Sequence, residues 1–206
     1  RQFLAAAIIF AGTKYLLDGS WKKFTLLILL ASTFHQSALI FLPIYFIVRQ
    51  KAWTKTTFGL LFLAVILALG YNQFSELLFS AIGDSQYGHY STFDEGGANF
   101  LRVFVYAAPL LIAYLGREKL REIFPDSDYI VNLCILNLVF MVIASQNWIF
   151  ARFTIYFGLY YLILISWIVK LMKEKDQKLV YYGIAICFIV YFYYEHVVSL
   201  GIVYRS

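Results

Sequence analysis

The stretch IFARFTIYFGLYYLILISWIV, Ile149–Val169, decides the fold class. Its single charged residue is Arg152, and almost everything else is aliphatic or aromatic. A helix needs about 20 mostly apolar residues to cross the hydrocarbon core of a bilayer, which is about 30 Å thick. In that medium a helix satisfies its own backbone hydrogen bonds. Working outward, a second block of similar character runs from Phe24 to Val48. Hydrophobic residues make up 62% of the 206-residue chain and charged residues 14%. A soluble domain carries about 25% charged residues and about 45–50% apolar ones, so this chain lacks the polar surface to cover itself in water. Outer-membrane barrel strands would alternate apolar and polar residues, and no such alternation is present.

The expected fold is all-α, a polytopic transmembrane helical bundle of about seven hydrophobic segments. These are Phe3 to about Leu17, Phe24–Val48, Phe58–Phe79, Phe100–Leu115, Tyr129–Ser145, Ile149–Val169 and a last one from Leu179. Between them lie the Ser80–Asn99 loop, a polar connection at Gly116–Asp128, a short turn at Gln146–Trp148 and a charged loop at Lys170–Lys178. Leu120, Ile123 and Phe124 are spaced like the apolar stripe of a short helix lying at the interface. Residues 1–206 read as one transmembrane domain. The chain opens on Arg1 and turns apolar at Phe3 without a charged leader, so it reads as part of a longer protein and not as starting with a signal peptide.

The net charge of +5 is no nucleic-acid signal, because the basic residues sit at segment ends, where the positive-inside rule expects them. Cys134 and Cys187 fall inside apolar segments and read as small hydrophobes rather than a disulfide. Three histidines without ligand spacing give no metal site, and no cofactor is implied.

Lys and Arg positions bear on one ambiguity. With Phe24–Val48 as a single tilted crossing, the basic residues of Arg49–Lys55, Arg117–Arg121 and Lys170–Lys178 share a side, and Lys14, Lys22 and Lys23 fall opposite. With that block bent back at His35–Ser37, all of these share one side, and Arg1, Arg102, Arg152 and Arg205 collect on the other. Charge favours the re-entrant path. Length favours the single span, and the balance leans slightly to the single span. Either way the Ser80–Asn99 loop, which has no Lys or Arg, is expected outside.

Ionisable groups inside membrane segments are costly and point to function. His35 reads as a neutral imidazole bonded to a neighbouring helix, or as a general base or phosphate donor. Arg152 reads as a snorkelling cation, or as a guanidinium gripping a diphosphate through bidentate bonds. Arg1 reads as a plain juxtamembrane charge or, like the others, as a functional ionisable group. The loop residues Tyr90, Asp94 and Glu95 pair an aromatic face with carboxylate acceptors, the combination a sugar needs; they read equally as an aromatic belt with solvated acids. Arg102 is a further candidate by position alone. Glu195 and His196 read as a site pair or, more simply, as the wet end of the last helix.

Several runs together resemble a known family. Arg1-Gln2 opens an apolar segment, Lys22-Lys23-Phe24 follows a polar break, then come Phe34-His35-Gln36-Ser37-Ala38-Leu39-Ile40 and, much later, Ala151-Arg152-Phe153-Thr154-Ile155-Tyr156-Phe157. This order resembles the EpsG family of exopolysaccharide proteins, related to Wzy-type O-antigen and capsule polymerases. The resemblance implies a multi-pass protein of the bacterial inner (cytoplasmic) membrane. It would transfer a glycan chain from undecaprenyl diphosphate onto a lipid-linked repeat unit, working beside other polysaccharide export proteins. It further implies Arg1 and Arg152 as diphosphate ligands and His35 as base or second phosphate donor. Two rival classes are a lipid-linked oligosaccharide flippase and a membrane acyltransferase. The flippase would more often show internal repeats, and the acyltransferase would want an acid beside its histidine.

Overall fold

Ser127–Ala144 is the helix around which the first part of the chain is built. The computed structural model describes residues 1–71, 76 and 96–202, and among them every regular element is helical. They form, in order, α1 (Gln2–Ala11), α2 (Thr13–Leu17), α3 (Trp21–Phe34), a 3-10 turn (Gln36–Ile40), α4 (Phe41–Val48), α5 (Lys55–Leu69), α6 (Phe100–Leu115), α7 (Arg117–Ile123) and α8 (Ser127–Ala144). A second 3-10 turn (Trp148–Phe153), α9 (Thr154–Leu171), α10 (Glu174–Tyr193) and a π-helical turn (Tyr194–Ser199) complete the series. The chain divides into two compact units, Arg1–Ile165 and Ser166–Ser206. In the first, α8 packs against α4, α5, α6, α7 and the Trp148–Phe153 turn. Twelve of its residues are buried, from Ser127 and Ile130 through Ala144. An apolar helix surrounded on all sides in this way is a core element.

The expectation of about seven spanning segments is corrected. Among the described residues, three helices are long and apolar enough to cross a bilayer: Ser127–Ala144, Trp148–Leu171 and Glu174–Ser199. A fourth is reached if α6 and α7, bent by 81° to one another, are taken as one broken span. The other apolar segments have the composition of a span without its continuous length. The first expected segment is divided at Gly12 into helices of 10 and 5 residues, and α5 has 15. The later part of Phe58–Phe79 lies outside the described residues. Short helices can still be buried among neighbours, which is where apolar residues of insufficient span length belong.

Phe24–Val48 is not one continuous helix, against the slight preference for a single span. The rings of Phe24 and Tyr45 lie 5.7 Å apart, whereas an unbroken helix would separate residues 24 and 45 by about 31 Å. The chain therefore doubles back. The reversal is at His35, whose backbone is extended (φ −155°, ψ 116°). Just before it, the Ser32 and Thr33 hydroxyls donate to the carbonyls of Leu29 and Leu30, both at 2.7 Å, the side-chain back-bonding that weakens a last helical turn.

Long-range bonds close the hairpin. Arg49 Nη1 donates to the Leu16 carbonyl at 2.6 Å, and its guanidinium lies over the Tyr45 and Tyr129 rings, each at 5.6 Å. Gly19 turns the chain with φ +74° where a Cβ would come within 3.0 Å of Arg49 Nη2. On the α4 side, Asn132 Nδ2 donates to the carbonyls of Val48 at 3.0 Å and Gln50 at 2.6 Å, covering acceptors that a helix C-terminus leaves open. Pro109 creates a similar vacancy inside α6, because it has no N–H for the Val105 carbonyl; the Tyr161 hydroxyl donates there instead.

These contacts sort the charges of the first unit to two ends. One end gathers Lys14, Lys22, Lys23, Arg49 and the start of α5, together with Trp53 on Tyr114 at 5.1 Å. Arg121 belongs to it as well, donating to the Ala52 carbonyl at 3.3 Å and to Asp128 at 3.1 Å. The Asp128 hydrogen bond, with the charges of Asp128 and Glu118, raises the Arg121 pKa further despite partial burial. The opposite end holds Arg1, the His35 reversal, Arg152 and the first turn of α6 with Arg102. Single cysteines at Lys22 and Lys51, both exposed, are therefore expected to share one labelling state with an impermeant maleimide on spheroplasts. Labelling of only one of them would restore the single crossing.

Candidate functional site

The three sequence-expected residues Arg1, His35 and Arg152 come together at the end opposite the lysines. Arg1 is the N-cap of α1, and next to it the Gln2 Nε2 donates to the backbone carbonyl of Arg152 at 2.8 Å. His35 is close enough to Arg152 for the guanidinium to act on its charge.

Arg152 is carried by the Trp148–Phe153 turn. Asn147 caps that turn, its Oδ1 accepting from the Ile149 amide at 3.0 Å. Thr154 Oγ1 donates to the Ala151 carbonyl at 2.6 Å as the turn passes into α9. The guanidinium lies over the Trp148 ring, 5.0 Å from its centroid. The His35 reversal is fastened to the same region: the Ser37 and Tyr156 hydroxyls are hydrogen-bonded at 2.8 Å, and Phe41 meets the rings of Tyr156 and Phe157, both at 5.5 Å. Phe157 and Tyr156 are fully buried. The site is thus a cationic group of side chains set against an aromatic wall.

A backbone clasp holds the turn from its other side. Ala98 N donates to the Ala144 carbonyl at 2.7 Å, and Trp148 N donates to the Gly96 carbonyl at 3.0 Å. Ala98, Met141, Ala144 and Ala151 pack in one cluster with Val103, Tyr106 and Phe150. Arg102 is placed at this end by the same arrangement, one residue before Val103. Its helix is capped by Asn99, whose side chain accepts from the Leu101 amide at 2.9 Å.

The depth of the group follows from helix length. α3 has 14 residues and rises about 21 Å, less than the about 30 Å of hydrocarbon. Where α3 starts at one interface, His35 lies short of the other. An anion bound there would be poorly hydrated, and a fixed guanidinium stabilises charge far more in such a place than water does.

Tyr90, Asp94 and Glu95 lie outside the described residues. Glu195 and His196 belong to the second unit, in the π-helical turn; His196 Nδ1 is 3.0 Å from the Phe192 carbonyl. Among the described residues no three His, Cys, Asp or Glu side chains are grouped to hold a metal ion. Sequence reasoning passed over Gln2 as a side chain, Ser37, Tyr156 and Trp148.

With this geometry in place, comparison with known proteins is specific on one point. The model of the EpsG family matches residues 1–206, the whole chain. The chain belongs to the EpsG family. No curated protein matches it, and no solved structure does. In this EpsG-family chain, Arg1, His35 and Arg152 stand in three segments far apart in sequence and at one place in the fold. It is a membrane protein, by family and by the length of its apolar helices.

Proposed function

We propose that this protein is a polysaccharide polymerase of the bacterial inner membrane. It transfers a glycan chain carried on undecaprenyl diphosphate to the sugar hydroxyl of a lipid-linked repeat unit, in exopolysaccharide, O-antigen or capsule synthesis. The observation that carries this reading is the convergence of Arg1, His35 and Arg152 at one end of the first unit.

The chemistry has three needs. The departing diphosphate needs cations, and the two arginines supply guanidinium groups whose planar fork matches phosphate oxygens. The attacking hydroxyl needs a base, and His35 in its neutral form accepts a proton. The lipid needs an apolar approach, and the exposed Phe3, Phe34 and Leu39 flank Arg1 and His35. Arg102, with the Tyr90–Glu95 loop, is assigned to the sugar portion. The nine basic residues at the lysine end face the cytoplasm under the positive-inside rule, which sets the Arg1, His35 and Arg152 group towards the outer leaflet. The whole forms a single transmembrane domain.

The acyltransferase reading is less favoured, because among the described residues the side-chain charge acting on His35 is the Arg152 guanidinium rather than a carboxylate. The flippase reading is tested directly. A deletion strain is expected to export single repeat units while losing long polymer. Loss of all exported repeat units would instead assign the protein to transport.

A further inference from the structure

Two residues outside the catalytic assignment hold Arg152 at two different points. Gln2 bonds its backbone carbonyl at 2.8 Å across 150 residues of chain. Trp148 lies under its guanidinium, 5.0 Å from ring centroid to the central carbon.

Trp148 is not oriented as an interfacial tryptophan would be. At a membrane surface the indole N–H turns to water or headgroups while the ring stays apolar. Here Nε1 is buried and meets no acceptor among the described residues. A buried donor without a partner is unfavourable, so the indole is not retained for its hydrogen bond. What it contributes is its face, and a ring face attracts a guanidinium most strongly where water is excluded. Trp148 is itself tied down, since its backbone N–H donates to the Gly96 carbonyl at 3.0 Å.

Gln2 is suited to its task for a separate reason. It must donate to a carbonyl beside three groups able to carry positive charge. A glutamate could not donate when ionised, and a lysine would add repulsion; a neutral amide does neither. Its position next to Arg1 makes one short segment responsible both for a proposed anion ligand and for the location of another.

We propose that Gln2 and Trp148 are positioning residues for Arg152. Gln2 fixes where the Arg152 backbone sits relative to Arg1, and Trp148 fixes the plane of the guanidinium, so that Arg1, His35 and Arg152 face a common diphosphate. This rests on the polymerase reading of the site. Neither residue touches the substrate, and each acts through Arg152.

The test uses the full-length protein in proteoliposomes, with lipid-linked repeat units extracted from the deletion strain as substrate and turnover counted per folded molecule. Gln2→Met keeps the length and removes the donor; Trp148→Leu removes the ring face; Trp148→Phe keeps a smaller face and deletes the orphaned N–H. Gln2→Met and Trp148→Leu are each expected to lower kcat about tenfold, the scale of one net hydrogen bond or cation–ring contact, with Tm falling by no more than a few degrees. Trp148→Phe is expected to recover most of that loss, which a role in filling volume alone would not distinguish from leucine. Should Trp148→Leu fail to fold, Gln2→Met and Trp148→Phe carry the comparison, and the double variant of those two is expected to lose more than either. Wild-type kcat in Gln2→Met and Trp148→Leu, with Arg152→Ala inactive, overturns the positioning role alone. Wild-type turnover in Arg152→Ala overturns the polymerase reading beneath it.

Discussion

Replacing Arg152 by alanine is expected to abolish long polymer while leaving the protein in the membrane. The reasoning starts from the medium. A diphosphate leaving group gathers negative charge as its bond to the sugar breaks, and in a poorly hydrated site that charge is stabilised by fixed donors rather than by water. Losing one such donor lowers a rate by about a hundredfold to a thousandfold, enough to remove high-molecular-weight bands from a ladder of chain lengths. The carbonyl that Gln2 bonds belongs to the backbone of Arg152 and survives the substitution, and removing an intramembrane charge does not oppose insertion. Arg152→Lys separates charge from geometry: a lysine keeps the positive charge but not the planar fork, so chain length is expected to fall strongly. A snorkelling cation would tolerate lysine fully. Wild-type ladders from the lysine variant, normalised to inserted protein, would therefore reduce Arg152 to a structural anchor.

Gly97→Ala is expected to have the largest effect on folding. A Cβ on Gly97 would lie 1.7 Å from the Ser145 carbonyl oxygen and 2.5 Å from its carbon. Both are backbone atoms, so no side chain can swing aside. The neighbouring bonds from Ala98 to Ala144 and from Trp148 to Gly96 must stretch or break to admit the methyl group. Overpacking against a rigid neighbour costs about 1–3 kcal/mol and occasionally more, and this contact is shorter than a side chain can relieve, placing it at or beyond the top of that range. The expected readout is loss of folded protein in a detergent melt, with loss of polymer following from it. Gly59→Ala is the matched control. Among the described residues nothing lies within 4 Å of a Cβ there, and alanine in a helix interior is favoured over glycine by about 1 kcal/mol. A Gly97→Ala protein melting like wild type would show that the Gly96–Ala98 segment is not fastened to the Ala144–Trp148 turn as the structure has it.

The residues that mark the site were legible in the chain. Arg152 is the lone charge of a long apolar run, and His35 interrupts another; ionisable groups in such positions are costly enough to point to function. Their supports were not legible. Gln2 is separated from the carbonyl it bonds by 150 positions and Ser37 from Tyr156 by 119. A hydrogen bond between polar side chains leaves no periodic trace, whereas an apolar stripe does.

What the sequence determined by itself is the solvent. With 62% hydrophobic and 14% charged residues, these segments require hydrocarbon or one another, and helices answer that requirement by satisfying their backbones internally. The basic residues at segment ends left two pairings of those ends open, and length tipped the balance to the one the structure does not have. Only the tertiary structure decided the path. An apolar block such as Phe24–Val48 is equally well solvated as a crossing or as a folded hairpin, because hydropathy measures how much apolar surface must be hidden and not where the chain goes next. The decision falls to a few directional, long-range bonds, Arg49 to the Leu16 carbonyl and Asn132 to the Val48 and Gln50 carbonyls. By returning the chain at His35, those bonds bring the histidine to Arg1 and Arg152.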